Sequence, residues 1–264
     1  MTEVRFRGAA ADSLDDYRLD QTRIGVIAER AEMGDHGPAL LRALVEVEVG
    51  KRSGFLSDGR LRILFEAHRF DRYTSGKYRA SHPNISSRSW NRSLYWGGAA
   101  EYRRLQTAMD LDRDAALMSA SWGYPQMMGD EHWRCGYENA AEMINAFADS
   151  AHVQIHAMVD FLASKKALQS LIDCQFEDVS RKYNGRGFRA NRHHIKLGSA
   201  AARFSGVGDN CRLGAAGEDV VVLQIALKDL GAELVIDGAF GPMTGQALVD
   251  AQRTHKTPNP IKAR

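Results

Sequence analysis

The chain has 264 residues, 44% of them apolar, 26% charged and 8% aromatic, a globular composition that excludes disorder, collagen-like repetition and a disulfide scaffold. Its 35 basic and 33 acidic side chains leave a net charge of +2, too small for wholesale nucleic-acid binding, and the length suits one core plus an accessory module. Three widely spaced cysteines, Cys135, Cys174 and Cys211, fit a reducing compartment at synthesis and form no CxxC metal pair. The N-terminus carries no apolar stretch of secretory length, and no segment approaches the roughly 20 apolar residues of a membrane span, so neither a signal peptide nor membrane insertion is expected.

Apolar residues at helical spacing predict a helix over 20–33 and a second over 39–49, opened by Asp35 and Pro38 and closed by Gly50. Residues 50–59 read as a loop. The alternation Leu61, Ile63, Phe65 predicts a short strand, pairing across the turn Ser57, Asp58, Gly59 or towards 70–73. The polar stretch 75–98, rich in Ser, Arg and aromatic residues, is longer than most connections and is a candidate functional loop. Helices are predicted over 99–109, 112–120, 139–148, 152–164, 167–182 with a break near Asp173, and 191–204. A Gly-rich linker follows at 205–216, then a helical pair at 219–230 and 243–254 around the turn 236–241, and a tail containing two prolines.

In the helix over 39–49, Leu41, Leu44 and Val45 mark the inward stripe, and Glu48 falls on its centre line while Glu46 points away. Desolvation of a carboxyl there disfavours its ionised form and raises its pKa, which is what a general acid needs near neutral pH. In the strand register Glu66 faces away from Leu61, Ile63 and Phe65, together with Leu64 and His68. Two carboxylates in different environments across one cleft are the machinery of glycosidic hydrolysis, and their separation decides the outcome: about 6.5 to 9.5 Å for inversion, about 5 Å for retention. Asp58 is a third acid, better read as a turn residue.

Val47, Glu48, then Ser53 to Leu56, Asp58 to Arg60, Ile63 to Glu66 and His68 resemble the phage-type N-acetylmuramidase endolysins. Ser119, Ala120, Ser121, Trp122, Gly123 followed by Gln126, Met128 and Gly129 is similar to that family's second motif, and Tyr183, Asn184, Gly185 to its third. Two departures stand out: Val49 to Arg52 is one residue longer than the usual segment, and Arg186 stands where proline is common. More distantly, the same pieces resemble lytic transglycosylases and goose-type lysozymes. The resemblance implies an α+β, mostly helical, lysozyme-like fold that cleaves the β-1,4 bond between N-acetylmuramic acid and N-acetylglucosamine. Glu48 and Glu66 take the catalytic positions. Ser53, His68, Ser121, Trp122, Tyr124, Gln126, Tyr183 and Asn184 take substrate contacts, with Gln126 suited to an N-acetyl group, Trp122 and Tyr124 to sugar faces, and Tyr183 to holding a carboxyl.

Gly217, Val220, Leu223, Gln224, Leu227, Gly231, Asp237, Gly238, Phe240, Gly241 and Thr244 resemble the first half of a peptidoglycan-binding helical domain, with Asp237, Gly238 and Thr244 as the wall-binding positions. The expected division is a catalytic domain over 1–204, a linker over 205–216 and a short module over 217–258. His152 and His156 stand at metal-compatible spacing without a third ligand, His193 and His194 cannot share a helical face, and Asp130, Glu131, His132 does not match HExxH. Neither a metal nor a cofactor is called for. Between Lys51 and Arg104 lie 12 basic and 4 acidic residues, a local excess suited to an anionic wall and accompanied by no nucleic-acid motif. The expectation is a monomeric peptidoglycan hydrolase, made in the host cytoplasm and released to the wall by a holin. The rivals are a lytic transglycosylase leaving 1,6-anhydromuramic ends and a non-catalytic wall-binding protein.

Overall fold

The computed structural model describes residues 3–8, 20–50, 53–204 and 217–255. The predicted linker, the far tail, Cys211 and the extended loop positions Lys51 and Arg52 lie outside these residues. The described chain forms two compact units. One gathers residues up to Arg23 with Glu48–Ser164, the other Ile24–Val47 with the chain from Lys165 onward.

In the first unit a three-stranded antiparallel sheet, β1 (Ile63–Phe65), β2 (Ala120–Trp122) and β3 (Met127–Met128), runs in the order β1-β2-β3. Its register pairs Ile63 with Trp122, Leu64 with Ser121 and Phe65 with Ala120, then Ser121 with Met128. The predicted pairing across the 57–59 turn survives as a single bridge, Phe55 to Leu61. The partner proposed at 70–73 is instead helical, within α3 (Ala67–Tyr73). Likewise the helix predicted over 112–120 stops at α5 (Arg113–Met118), because its last residues leave to make β2. Around the sheet stand α4 (Glu101–Leu111), α6 (Ala140–Asp149) and α7 (Ala151–Ser164). In this unit Phe65, Phe70, Leu105, Trp122, Phe147 and Met158 are fully buried. Each such side chain contributes about 1.5 to 3 kcal/mol of transfer free energy.

The second unit is helical. It holds most of α1 (Gln21–Arg30) and α2 (Gly37–Val49), then α8 (Leu168–Ile172), α9 (Phe176–Asn184), α10 (His193–Phe204), α11 (Glu218–Asp229) and α12 (Pro242–His255). The break predicted near Asp173 separates α8 from α9, with Cys174 in the left-handed region at φ +55°. α11 packs against α9, α10 and α12, so the C-terminal helical pair shares a core with the helices before the linker. Among the described residues no helix is long and apolar enough to cross a membrane.

Candidate active site

Glu66 follows β1 directly. Its backbone N–H donates to Ser119 O at 2.9 Å, and the chain then turns into α3, so the strand ends at Phe65 as the alternation predicts, while His68, read in the same strand register, lies instead on α3. The side chain is 16% exposed, and one oxygen, Oε2, carries two partners: the Tyr95 hydroxyl donates to it at 2.6 Å and His68 Nδ1 lies 3.2 Å away. Burial, and next the carboxylate itself, pushes the Tyr95 phenol above its ordinary range, which keeps it a donor at neutral pH. The second oxygen has neither contact.

Tyr95 lies in the long 75–98 segment, and the reason that segment holds its place is a buried ion pair. Glu101 and Arg104 on α4 are both inaccessible to solvent. Glu101 Oε1 accepts the backbone N–H groups of Trp96 and Gly97 at 2.6 and 2.9 Å, and Oε2 accepts Arg104 Nη1 at 2.7 Å. Arg104 donates onward to Phe65 O and Asn84 O. The pair thus joins the end of β1 to the segment bearing Tyr95. Asp71, buried at the close of α3, anchors the start of the same segment through Arg79 and Ser86, and the Arg79 hydrogen bonds hold its carboxyl below the usual range. The sequence reading missed Tyr95, Glu101 and Arg104. A signal was present: Glu101, Arg104, Leu105 and Ala108 occupy i, i+3, i+4 and i+7, so two charges sit on the apolar stripe of α4.

The Ser-Ala-Ser-Trp-Gly motif forms β2 and its turn. Trp122 has no exposed surface; its ring stacks on Phe6 at 5.8 Å and its indole N–H donates to Leu117 O. It is a core residue, which corrects its assignment to a sugar face: the inward face of β2 has no access to solvent. Ser121 Oγ donates to Gln126 Oε1 at 3.0 Å, and Gln126 Nε2 donates to Gly123 O at 2.8 Å, so this polar pair also shapes the β2–β3 turn. Gly123 adopts φ +70° with the Gln154 amide pressed against it, and Gly129 lies against Leu117 O, so neither place admits a side chain. Tyr124 is half-buried, edge-on to Phe55 at 6.2 Å, with its N–H donating to Gln154 Oε1. Ser53 is exposed, and its hydroxyl accepts Phe55 N–H at 3.1 Å.

Glu48 stands on the last turn of α2, half-buried between Leu44 and Val45 on the inward stripe and buried Val49. Glu46 is exposed and pairs with Arg203 at 2.5 Å, so the two acids part as the helical wheel requires. Glu48 belongs to the compact unit that carries Ser53, Glu66, His68, Ser121, Tyr124 and Gln126. Tyr183, half-buried, and Asn184, exposed, close α9 in the other unit.

Asp58 is exposed and spends its carboxylate on Arg60, the turn role expected of it; the Arg60 hydrogen bond lowers its pKa. His152 is buried and accepts Asp20 N–H, and no set of three metal-ligating side chains occurs among the described residues. In the C-terminal pair, Gln224 Oε1 accepts the N–H groups of Asp237 and Gly238, while its Nε2 donates to Asp237 Oδ1, Ala239 O and Thr244 Oγ1. Thr244 is 3% exposed. Asp237, Gly238 and Thr244 therefore brace the turn between α11 and α12 through Gln224; Asp237 is exposed, while Gly238 and Thr244 are buried and offer a wall polymer little surface. A groove of about 400 Å³ lies elsewhere on the same pair, lined by Leu227, Leu230, Met243, Ala247 and Asp250.

The N-acetylmuramidase family model matches residues 37–205, and a peptidoglycan binding domain model matches residues 216–259. The chain is similar to the crystal structure of the Burkholderia AP3 phage endolysin, with 31% identity, a TM-score of 0.67 and 75% of each chain covered. No curated protein is similar enough to match. With Glu66 ordered beside the sheet, Glu48 half-buried at a helix end and well over half of its length in one family match, the chain belongs to the N-acetylmuramidase family, glycoside hydrolases acting on peptidoglycan.

Proposed function

We propose that Glu48 donates the proton to the glycosidic oxygen between N-acetylmuramic acid and N-acetylglucosamine, and that Glu66 activates water or stabilises positive charge on the sugar ring. The single observation that carries this is the asymmetric holding of Glu66: Tyr95 and His68 engage Oε2, which orients the carboxylate and leaves the other oxygen as the group available to water or to a sugar carbon. The half-buried place of Glu48 at the end of α2 supports its role as the acid. A further positioning role for Ser121 and Gln126 follows from their mutual hydrogen bond in the β2–β3 turn, and Tyr124, Ser53, Tyr183 and Asn184 remain the residues proposed to contact sugar.

The helical pair over 217–258 is proposed to add affinity for peptidoglycan. For the whole chain we infer a monomer, synthesised in the host cytoplasm and released to the wall by a holin; the likeness to a phage endolysin supports that route.

The test is clearance of purified peptidoglycan, with products read by mass spectrometry. Glu48→Gln is expected to remove turnover by about 10³-fold or more while the circular dichroism spectrum is unchanged, and Glu66→Gln to cost at least about 10²-fold. Full activity in Glu48→Gln would refute the assignment. Reducing muramic acid ends are expected; 1,6-anhydro ends would show transglycosylation instead.

A further inference from the structure

Three of the four tryptophans are exposed: Trp90 by 59%, Trp96 by 50% and Trp133 by 59%. Two of them share one segment and flank one residue, Tyr95. The Trp90 and Tyr95 rings are 6.2 Å apart, tilted by 56°, and Trp96 lies beneath the Arg103 guanidinium at 5.6 Å. Tyr95 in turn donates to the candidate carboxylate Glu66. Indole surface left in water is costly, and here the backbone that presents it is fixed rather than loose. Glu101 accepts the N–H groups of Trp96 and Gly97, and Asn91 caps the short 3₁₀ turn Arg92–Leu94 through Ser93 N–H.

We propose that Trp90 and Trp96 form a sugar-stacking platform that holds β-1,4-linked N-acetylhexosamine units in subsites adjoining Glu66. This deepens the reading above and rests on it. A pyranose ring in a β-1,4 chain turns a face of C–H groups outward, and that face packs on a flat aromatic ring, as does the methyl of an N-acetyl group. A platform already ordered by Glu101 loses little entropy when the strand lands. Arg103, held over Trp96, offers a cation to the lactyl carboxylate of muramic acid units that carry no stem peptide. Basic residues interleaved with aromatics also suit a single-stranded nucleic acid. The carboxylate of Glu66 beside Tyr95 opposes a phosphate backbone at this place, and the family membership of the chain favours a glycan.

The experiment compares full-length wild type with Trp90→Ala, Trp96→Ala and Trp133→Ala on peptide-free glycan strands prepared from bacterial wall, measuring kcat and KM by product analysis and affinity by sedimentation. Trp133 is as exposed but sits in a different segment, against Arg134. Each of the first two substitutions is expected to raise KM and weaken strand affinity about tenfold with kcat held within about twofold, and phenylalanine at either place to restore most of the loss. Trp133→Ala is expected to behave as wild type. Unchanged strand affinity in both variants overturns the platform. So does an equal loss in Trp133→Ala, a fall in kcat at unchanged KM, or a loss confined to an oligonucleotide probe. A wild-type protein that neither binds nor cleaves the strands would overturn the hydrolase reading itself, a result distinct from any of these.

Discussion

Glu101 and Arg104 show how a single pair of side chains can govern a site neither of them enters. Each is charged and without solvent contact, and each is tolerated because the other, together with Trp96 N–H, Gly97 N–H, Phe65 O and Asn84 O, satisfies it. Removing one partner leaves the other charge buried and alone. Glu101→Gln is therefore expected to lower stability by about 3 kcal/mol or more in chemical unfolding, and to release the segment that positions Tyr95. A variant with wild-type unfolding midpoint would mean that the guanidinium finds other acceptors. At the same scale, helical spacing alone separated Glu46 from Glu48, since a half-turn difference on a wheel needs no tertiary information. Trp122 was misjudged for the complementary reason: a motif names a residue but not which face of a two-sided strand is closed, and here Phe6 closes it.

Among the elements, the join between α11 and α9 carries a pH-dependent strain. Asp229, at the C-terminal end of α11, accepts the first N–H of α9 from Phe176 at 3.2 Å, and burial pushes its carboxyl up to about 6 from 3.8. The folded protein thus holds a proton at Asp229 that the unfolded chain releases near pH 4. Between about pH 4 and pH 6 the native state binds more protons, so this group's contribution falls as pH rises and its full penalty applies above about pH 6. A carboxylate at a helix C-terminus also opposes the helix dipole. Asp229→Asn keeps an acceptor for Phe176 and removes the charge. Its melting temperature is expected to exceed wild type at pH 8 and to equal it at pH 4, and a constant difference across that range would rule out the linkage.

For the molecule as a whole, the decisive fact is that α11 of the C-terminal helical pair packs on helices that precede residue 205. Val220, Leu223, Ala226 and Leu227 of α11 are buried, and α11 packs on α9 and α10, where Phe176, Val179, Leu197 and Ala201 lie. Deleting 217–264 would open that face. With each lost side chain contributing about 1.5 kcal/mol or more, and each kilocalorie worth about 2 to 4 °C at this size, the truncated chain is expected to melt roughly 10 °C or more below the full one. Equal melting would show the pair to be an independent appendage.

The sequence by itself determined most of the helical segments, though not α3, together with the break before α9, the two separated glutamates of α2 and the family. All of these rest on spacing along the chain, and spacing is local. It did not determine that 120–122 leaves its helix to complete a sheet with 63–65, that Tyr95 reaches Glu66 across 29 positions, or that Asp237 and Thr244 brace their own turn around Gln224. Those outcomes depend on which polar group finds its partner once apolar faces have closed. A buried donor or acceptor takes whatever group the fold brings within reach, and only the packed chain settles what that is.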